Sequence, residues 1–406
     1  MVPTCAMTDI LTPDFYDYDW APLHHARVDG EFVELAWPDG LQLRAHSWWL
    51  RENVVAVGAV DPVTREGTVH PAGFADDLAV RGCRVAEGAL CAEWTDGFAG
   101  TLHPGWLRHV AEGRQTVDAW LPELTTWTPN TLSEPPTFSG HAVLDDDHTL
   151  ADWLRAMVRF GLARLTDVPT DEHAVLRVTD RIGAQRDTNF GLDWPVKAEI
   201  LSNEENSTAN TDLRLGAHTD LPTREVPPGF QFLHCLTNEV SGGWSTMADG
   251  AAIAEYLRTD EPDVFDALST LHWTFFNRSR DHDHRWSGPI LDYGGPGMPL
   301  SIRAFYPLKA FPDMPEADIP RAYRAAKRFH QLAEDPGFQL RYPFAPGDMI
   351  GFDNRRILHG RDAFDGTEGR RYLRGTYVDR DEVLSRLRVL ERRAATTSPT
   401  SRIEAS

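Results

Sequence analysis

The densest group of side chains able to hold a metal or carry a proton is Leu215-Gly-Ala-His218-Thr-Asp220-Leu-Pro222. In an extended segment side chains alternate between faces, so His218 and Asp220 share one face and aim an imidazole and a carboxylate at a common point. A third donor is available in His359, which follows the apolar run Met349 to Phe352. Two imidazoles and one carboxylate, with the remaining positions open, make the facial triad of a non-haem Fe(II) site. The His-x-Asp pair alone is weak. Among 16 histidines and 61 acidic residues it also arises where no metal binds.

Arg371 lies 12 residues beyond His359, past an Asp365-Gly366 turn, in a segment that reads as the next strand. Period two puts Arg371, Leu373, Gly375 and Tyr377 on one face and Arg370 and Arg374 on the other. A guanidinium there suits bidentate pairing with the distal carboxylate of 2-oxoglutarate. The stretch holds several arginines, and taken by itself it favours a solvated surface role for Arg371.

The elements that must position these groups are short strands between turns. Gln231 to Cys235, Met349 to Phe352 and Tyr372 to Tyr377 read as strands, with Asp-Gly turns at Asp249-Gly250 and Asp365-Gly366. Such a pattern predicts a mainly β sandwich or barrel. One helix begins near Thr149, where Thr149 and Asp152 form an N-capping pair, and ends at Gly161 before a strand at Leu162 to Leu165. Another runs through Val383, Leu384, Leu387 and Leu390.

Earlier in the chain, Trp37-Pro-Asp-Gly40 and Trp49-Leu-Arg51 recur as Trp94-Thr-Asp-Gly97 and Trp106-Leu-Arg108, each 57 residues later. The Asp-Gly turns and β-rich flanks predict a small antiparallel β domain over 20–112 built on two similar hairpins. A linker rich in Pro, Thr and Ser follows over 113–139. The larger domain spans 140–395, and the polar tail 396–406 is expected to be disordered.

Composition narrows the function. The 406-residue chain carries a net charge of −21, which disfavours nucleic acid and anionic membrane surfaces as partners. Only Lys197, Lys309 and Lys327 are lysines, so Schiff-base chemistry has few candidates. Four scattered cysteines form neither a disulfide framework nor a Cys-x-x-Cys metal site. With no apolar run of spanning length and no leader-like N-terminus, a soluble cytoplasmic protein is expected.

Longer motifs now bear on the open readings. The run His218-Thr-Asp220-Leu-Pro, Pro227-Pro-Gly-Phe-Gln-Phe-Leu-His-Cys235, Gly242-Gly-Trp-Ser245 and Asp249-Gly250 resembles the γ-butyrobetaine and trimethyllysine dioxygenase group of the TauD/TfdA-type 2-oxoglutarate oxygenases. So does Leu358-His359-Gly360-Arg, Gly366-Thr-Glu, Arg371, Gly375-Thr-Tyr377 and Ser385-Arg-Leu-Arg388. The similarity covers nearly the whole chain in the family's order. It implies a double-stranded β-helix, or jelly roll, with flanking helices and a small N-terminal β domain. It also implies Fe(II) held by His218, Asp220 and His359, with 2-oxoglutarate and O2 as co-substrates and Arg371 as the 2-oxoglutarate arginine. Ser245 falls where relatives carry a hydroxyl near the co-substrate, unless it caps a turn. The implied reaction releases succinate and CO2 and hydroxylates a C–H bond of a small molecule. Desaturation, cyclisation and C–heteroatom cleavage remain open outcomes, and a non-catalytic jelly roll is the rival from another class. The presence of Asp220 argues against halogenation. Relatives are often homodimers, so a homodimer is expected.

Two departures from the family stand out. Relatives carry zinc in the small domain, on cysteines after a Trp-Leu-Arg-Asp-Asn-like motif and a histidine after Trp-x-Asp-Gly. Here Trp49-Leu-Arg-Glu-Asn53 leads into Val54-Val-Ala-Val-Gly-Ala-Val60, and Phe98 follows Gly97, so no zinc is expected there. Butyrobetaine enzymes also hold a trimethylammonium group in an aromatic cage. The corresponding positions are Phe190, Trp194, Asn210, Leu221 and Tyr377, and two of them lack a ring. The expected substrate is therefore a small polar metabolite other than γ-butyrobetaine.

Overall fold

A computed structural model describes residues 10–197, 208–277, 281–294, 300–304 and 310–397. The chain divides into two compact units, 1–119 and 120–406.

The first unit repeats one motif twice. Strands β1 (His25–Asp29), β2 (Phe32–Ala36) and β3 (Gln42–His46) form a meander that leads into helix α1 (Ser47–Glu52). Strands β4 (Val80–Ala86), β5 (Ala89–Trp94) and β6 (Ala99–Leu102) form a second, leading into α2 (Pro104–Ala111). The Trp-x-Asp-Gly words close the β2–β3 and β5–β6 hairpins, as the 57-residue repeat predicts. The correspondence extends to side chains. His46 caps α1 and His103 caps α2, each Nδ1 accepting a backbone N–H of the first turn. Trp49 of one repeat stacks on Trp106 of the other, with ring centroids 5.1 Å apart. Arg51 pairs with Asp96 and Arg108 with Asp39, so the repeats exchange the same ion pair in both directions. Val54 and Ala59 are buried in this unit's core, and the Arg51 guanidinium lies 3.4 Å from the centroid of the Phe98 ring.

The second unit contains the segment read as a linker from residue 120 onward. Its Trp127 is buried, with its indole N–H donating to the Phe160 carbonyl. Along this unit run β7 (Thr137–Ser139), α3 (Gly140–Asp145), α4 (Asp147–Phe160), β8 (Leu162–Thr166), α5 (Ala174–Asp180), β9 (Asp193–Lys197), β10 (Leu215–His218), β11 (Phe230–Asn238) and β12 (Ser245–Asp249). Then come α6 (Gly250–Asp260), α7 (Pro262–Thr270), β13 (His272–Phe276), β14 (Arg285–Gly288), β15 (Leu291–Asp292), β16 (Ser301–Ile302), β17 (Ala310–Asp313) and α8 (Ile319–Ala333). The unit closes with β18 (Gln339–Tyr342), β19 (Met349–Asp353), β20 (Ile357–Arg361), β21 (Arg371–Val378) and α9 (Arg380–Thr397). Helix α9 extends two residues into the expected tail, and the remainder of that tail lies outside the described residues.

Two sheets form the jelly roll. The larger has strand order β7-β8-β19-β11-β21-β9 and the smaller β10-β20-β12-β18. All pairings in them are antiparallel except β7 with β8. Alternation sorts the side chains into three layers. Phe230 and Phe232 of β11, Met349 of β19 and Val378 of β21 face α4, α5 and α9. Ala217 of β10, Ala248 of β12 and Leu358 of β20 face α6, α7 and α8. The opposite parity fills the space between the sheets: Cys235, Met247, Leu340, Ile350, Phe352 and Leu373 pack there. The two sheets thus share an apolar interior, and the polar residues of the same parity collect beyond it.

Helix α4 differs from expectation at its start. Asp146, rather than Thr149, is the N-cap, its carboxylate accepting the Thr149 backbone N–H. A carboxylate beside the exposed N–H groups of a first turn also interacts favourably with the helix dipole. Gly161 ends the helix at φ +79, a left-handed conformation that glycine adopts without a Cβ clash. Asp249-Gly250 is likewise a helix start and not a hairpin turn. Asp249 caps α6 through the Ala251 N–H.

Asp249 also forms a fully buried ion pair, accepting Arg356 Nε at 2.9 Å and Nη2 at 2.6 Å. Arg356 further donates to the carbonyls of Thr125 and Arg159, and Asp249 accepts the Trp127 N–H. One pair therefore ties the entry segment, the end of α4, the start of α6 and the turn before β20. Replacing Asp249 with Asn leaves the buried guanidinium without its counter-charge and should destabilise the protein by about 3–5 kcal/mol in denaturant unfolding. A loss under about 1 kcal/mol would show that the pair does not organise these elements.

Candidate metal and co-substrate site

The polar end of the sandwich is assembled from inner-face positions. β10 pairs with β20 so that His218 stands opposite His359, and their ring centroids are 4.1 Å apart. Asp220, two residues past His218, brings Oδ1 to 3.3 Å from His218 Nε2 and 3.8 Å from His359 Nε2. Among the described residues this is the one group of three His, Cys, Asp or Glu side chains placed to share a metal, its donor atoms all within 4.8 Å of one another.

The protonation states suit a metal. The His218 Nδ1 lies 2.9 Å from the Gly216 carbonyl oxygen. A carbonyl only accepts, so Nδ1 carries the proton and a neutral ring keeps its Nε2 lone pair on the Asp220 side. Burial, reinforced by His218, pushes the His359 imidazole down to about 3, so it stays neutral. Burial works against charge on Asp220, but positive charge on the His359 and His218 rings, when they carry it, and the Tyr377 hydroxyl outweigh it and hold the carboxyl below its usual range. Two imidazoles and one carboxylate match the donor set of a facial Fe(II) site.

Asp220 is held from three sides. Asn354, fully buried in the turn between β19 and β20, accepts the Asp220 N–H through Oδ1 at 2.7 Å and donates to the Asp220 carbonyl at 3.0 Å. The Tyr377 hydroxyl donates to Asp220 Oδ2 at 2.7 Å. Burial and the neighbouring carboxylate raise the Tyr377 phenol well above its usual value, so it remains a donor. Leu221 follows at φ +51, a strained conformation for a branched side chain that turns the chain directly after Asp220. The next turn is clasped by buried Arg303, which donates to the carbonyls of Pro222, Arg224 and Glu225.

Arg371 is on the inner face of β21, as its parity predicts. It is buried, its Nε has no hydrogen-bond partner, and among the described residues no carboxylate pairs with it. Arg374, of opposite phase, instead pairs with Asp193. Beside Arg371 stands a second guanidinium that the sequence reading missed. Arg361 shares the parity of His359 on β20, which was the available signal. It donates to the carbonyls of Ala209, Thr211 and Leu213 and likewise has no carboxylate partner. The Phe364 ring lies beneath both, 4.9 Å from Arg361 Cζ and 5.5 Å from Arg371 Cζ. Ser245 opens β12 between Arg361 and Tyr342 of the flanking strands, a strand position rather than a turn cap. Two buried cations, neither ion-paired among the described residues, form a ready site for a carboxylate.

The expected substrate residues are brought together only in part. Trp194 on β9 lies against Tyr377, with centroids 4.3 Å apart, and Phe190 lies 5.9 Å from Trp194. Gly375 makes this possible, since a Cβ there would come within 2.6 Å of the indole. Phe190 is 44% exposed, so it is not core packing. Asn210 sits in a turn packed near β9, its buried Oδ1 without a partner. Leu221 places no ring opposite the others. Trp194 and Tyr377 lie tilted against each other, with 36° between their planes, instead of facing across a cavity.

With the geometry in hand, comparison with known proteins is informative. The family model described as Taurine catabolism dioxygenase TauD, TfdA family matches residues 124–377. The chain is similar to the gamma-butyrobetaine dioxygenase of Pseudomonas sp. (strain AK-1), with 39% identity over 92% of this chain and 97% of that protein. It is also similar to the Homo sapiens gamma-butyrobetaine dioxygenase, 27% identical over 90% of this chain and 96% of that protein. The mitochondrial trimethyllysine dioxygenase of Gallus gallus is 28% identical over 90% of this chain and 87% of that protein.

The Asp220 contacts make a direct prediction. Tyr377→Phe and Asn354→Ala should each weaken Mn(II) binding about 10–100-fold in calorimetric titration, the usual cost of losing a group that orients a ligand. Unchanged affinity in both variants would mean that these residues do not position Asp220 for a metal.

Proposed function

Because the chain belongs to the Taurine catabolism dioxygenase TauD, TfdA family and is a 2-oxoglutarate-dependent dioxygenase, we propose that it hydroxylates a C–H bond of a small polar metabolite other than γ-butyrobetaine. One observation carries the catalytic part. The metal-type triad His218, Asp220, His359 and the unneutralised Arg371 stand on inner faces of the same sandwich.

Each residue then has a definite task. His218, Asp220 and His359 would hold Fe(II), with Tyr377 and Asn354 fixing the carboxylate. Arg371 would bind the distal carboxylate of 2-oxoglutarate, with Ser245 beside it. The bound Fe(II), 2-oxoglutarate and O2 supply the oxidation that yields succinate, CO2 and the hydroxylated product. The apolar layer of Ile350, Phe352 and Leu373 behind the site limits water at that end. Phe190, Trp194, Asn210, Leu221 and Tyr377 would form the substrate side.

The substrate part rests on that side. Asn210 and Leu221 offer no ring, and each missing aromatic face removes roughly 0.5–2 kcal/mol of cation–π attraction for a quaternary ammonium. We also hold the first unit to be free of zinc. Its Val54 and Phe98 occupy packed apolar positions where relatives place ligands.

Three measurements test these statements. Purified protein with Fe(II) and 2-oxoglutarate should release succinate, and Arg371→Ala should raise the 2-oxoglutarate requirement about 100-fold or more while Mn(II) affinity stays near wild type. Equal 2-oxoglutarate requirements would remove Arg371 from that role. γ-Butyrobetaine should stimulate turnover poorly beside a panel of small polar metabolites, and efficient conversion to carnitine would overturn the substrate reading. Elemental analysis of protein purified without added zinc should find none in stoichiometric amount.

A further inference from the structure

One guanidinium near the substrate side is used by nothing described so far. Arg224 lies four residues after Asp220, a stretch that spans at most about 14 Å even when extended. Here it is folded into a turn, with the Arg224 N–H donating to the Leu221 carbonyl at 3.2 Å. The backbone is fixed by Arg303, which takes the carbonyls on both sides of it. The side chain is directed toward Asn189, its Nη2 donating to Oδ1 at 2.9 Å. Asn189 directly precedes Phe190, the outermost ring of the Phe190–Trp194–Tyr377 series. That series returns to the triad through the Tyr377 hydroxyl on Asp220. The contacts form a closed circuit from Asp220 through Arg224, Asn189, Phe190, Trp194 and Tyr377 back to Asp220, with the aromatic rings on one arc and Arg224 on the other.

Among the described residues Arg224 has no carboxylate within ion-pair distance, and its Nε is buried without a partner. Its charged neighbours are Arg186, which is already paired with Asp379, and His284. In a chain of net charge −21, a rim whose guanidinium has no acidic partner is unusual. A quaternary ammonium resting on Phe190 and Trp194 would meet an uncompensated cation. A carboxylate, sulfonate or phosphonate would supply the acceptors that Arg224 lacks.

We infer that Arg224, with Asn189, forms an anion subsite beside Phe190 and Trp194, so the substrate end held there is anionic rather than a quaternary ammonium. The inference rests on the oxygenase reading above and deepens its substrate class.

The test uses full-length enzyme loaded anaerobically with Fe(II) and saturating 2-oxoglutarate, titrated calorimetrically with butyrates that differ only at the far carbon. The probes are glutarate, 4-sulfobutyrate and 4-phosphonobutyrate (anionic), γ-butyrobetaine (cationic) and 5,5-dimethylhexanoate, its neutral isostere. At least one anionic probe should bind roughly tenfold or more tighter than γ-butyrobetaine, and the neutral isostere should also bind tighter than γ-butyrobetaine. Arg224→Gln should weaken that anionic probe roughly 10- to 100-fold and improve γ-butyrobetaine relative to it, while Arg224→Lys keeps the anionic preference in part. Tighter binding of γ-butyrobetaine by the wild-type enzyme would overturn the inference, whatever the variants do. So would an anionic preference that survives Arg224→Gln unchanged. Succinate release by the wild-type enzyme separates the two readings: its absence sinks the oxygenase reading, whereas its presence without a charge preference sinks the anion subsite alone.

Discussion

The antiparallel register that sets His218 of β10 opposite His359 of β20 is the constraint on which the rest of this unit depends. A one-residue slip of β10 would turn His218 toward α6, α7 and α8 and bring Ala217 into the sandwich. The same parity decides the position of Arg361 two residues on. Through β12 it also decides that Met247 packs inward while Ala248 packs on the helices. Asp220 stands just beyond the end of β10, so no ladder holds it. Asn354 substitutes for the missing strand by binding both backbone groups of Asp220. The strained turn at Leu221 and the Arg303 clasp then fix where the chain goes next.

A second theme is how the protein distributes its buried charge. Arg356 is buried against Asp249, with every contact serving to join elements, which is a structural use. Arg371 and Arg361 are different: both are buried, neither has a carboxylate partner among the described residues, and each has a buried Nε without a hydrogen bond. Leaving a guanidinium desolvated and unpaired costs several kcal/mol, which a bound anion would offset. For Arg361 three backbone carbonyls bear part of that cost, tying the 209–213 segment to the end of β20. Arg356 and the pair Arg361 and Arg371 are thus equally buried and differ in their ion pairing, which only Arg356 has among the described residues.

Much of the site could be read from spacing alone. Period two correctly placed His218 with Asp220 and put Arg371, Leu373, Gly375 and Tyr377 on one face of their strand, because alternation is a local property. The repeat in the first unit was legible as words 57 residues apart, and the meanders follow from it. What escaped were relations between distant segments. Nothing near Asn354 in sequence reveals that its amide completes the backbone of a residue 134 positions earlier. Tyr377 was read as a substrate wall, while its hydroxyl is spent on Asp220. The start of α4 was misplaced by three residues because Thr149 and Asp146 are both competent caps, and the carboxylate won. The stacked Trp49 and Trp106 and the exchanged Arg–Asp pairs likewise emerge only when the two repeats meet.

The most direct test of the account is a crystal structure of the protein loaded anaerobically with Fe(II) and 2-oxoglutarate. It should show one iron about 2.0–2.2 Å from His218 Nε2, His359 Nε2 and an Asp220 carboxylate oxygen, with the distal carboxylate of 2-oxoglutarate paired to Arg371. An iron held by other side chains, or a distal carboxylate paired to an arginine other than Arg371, would contradict it.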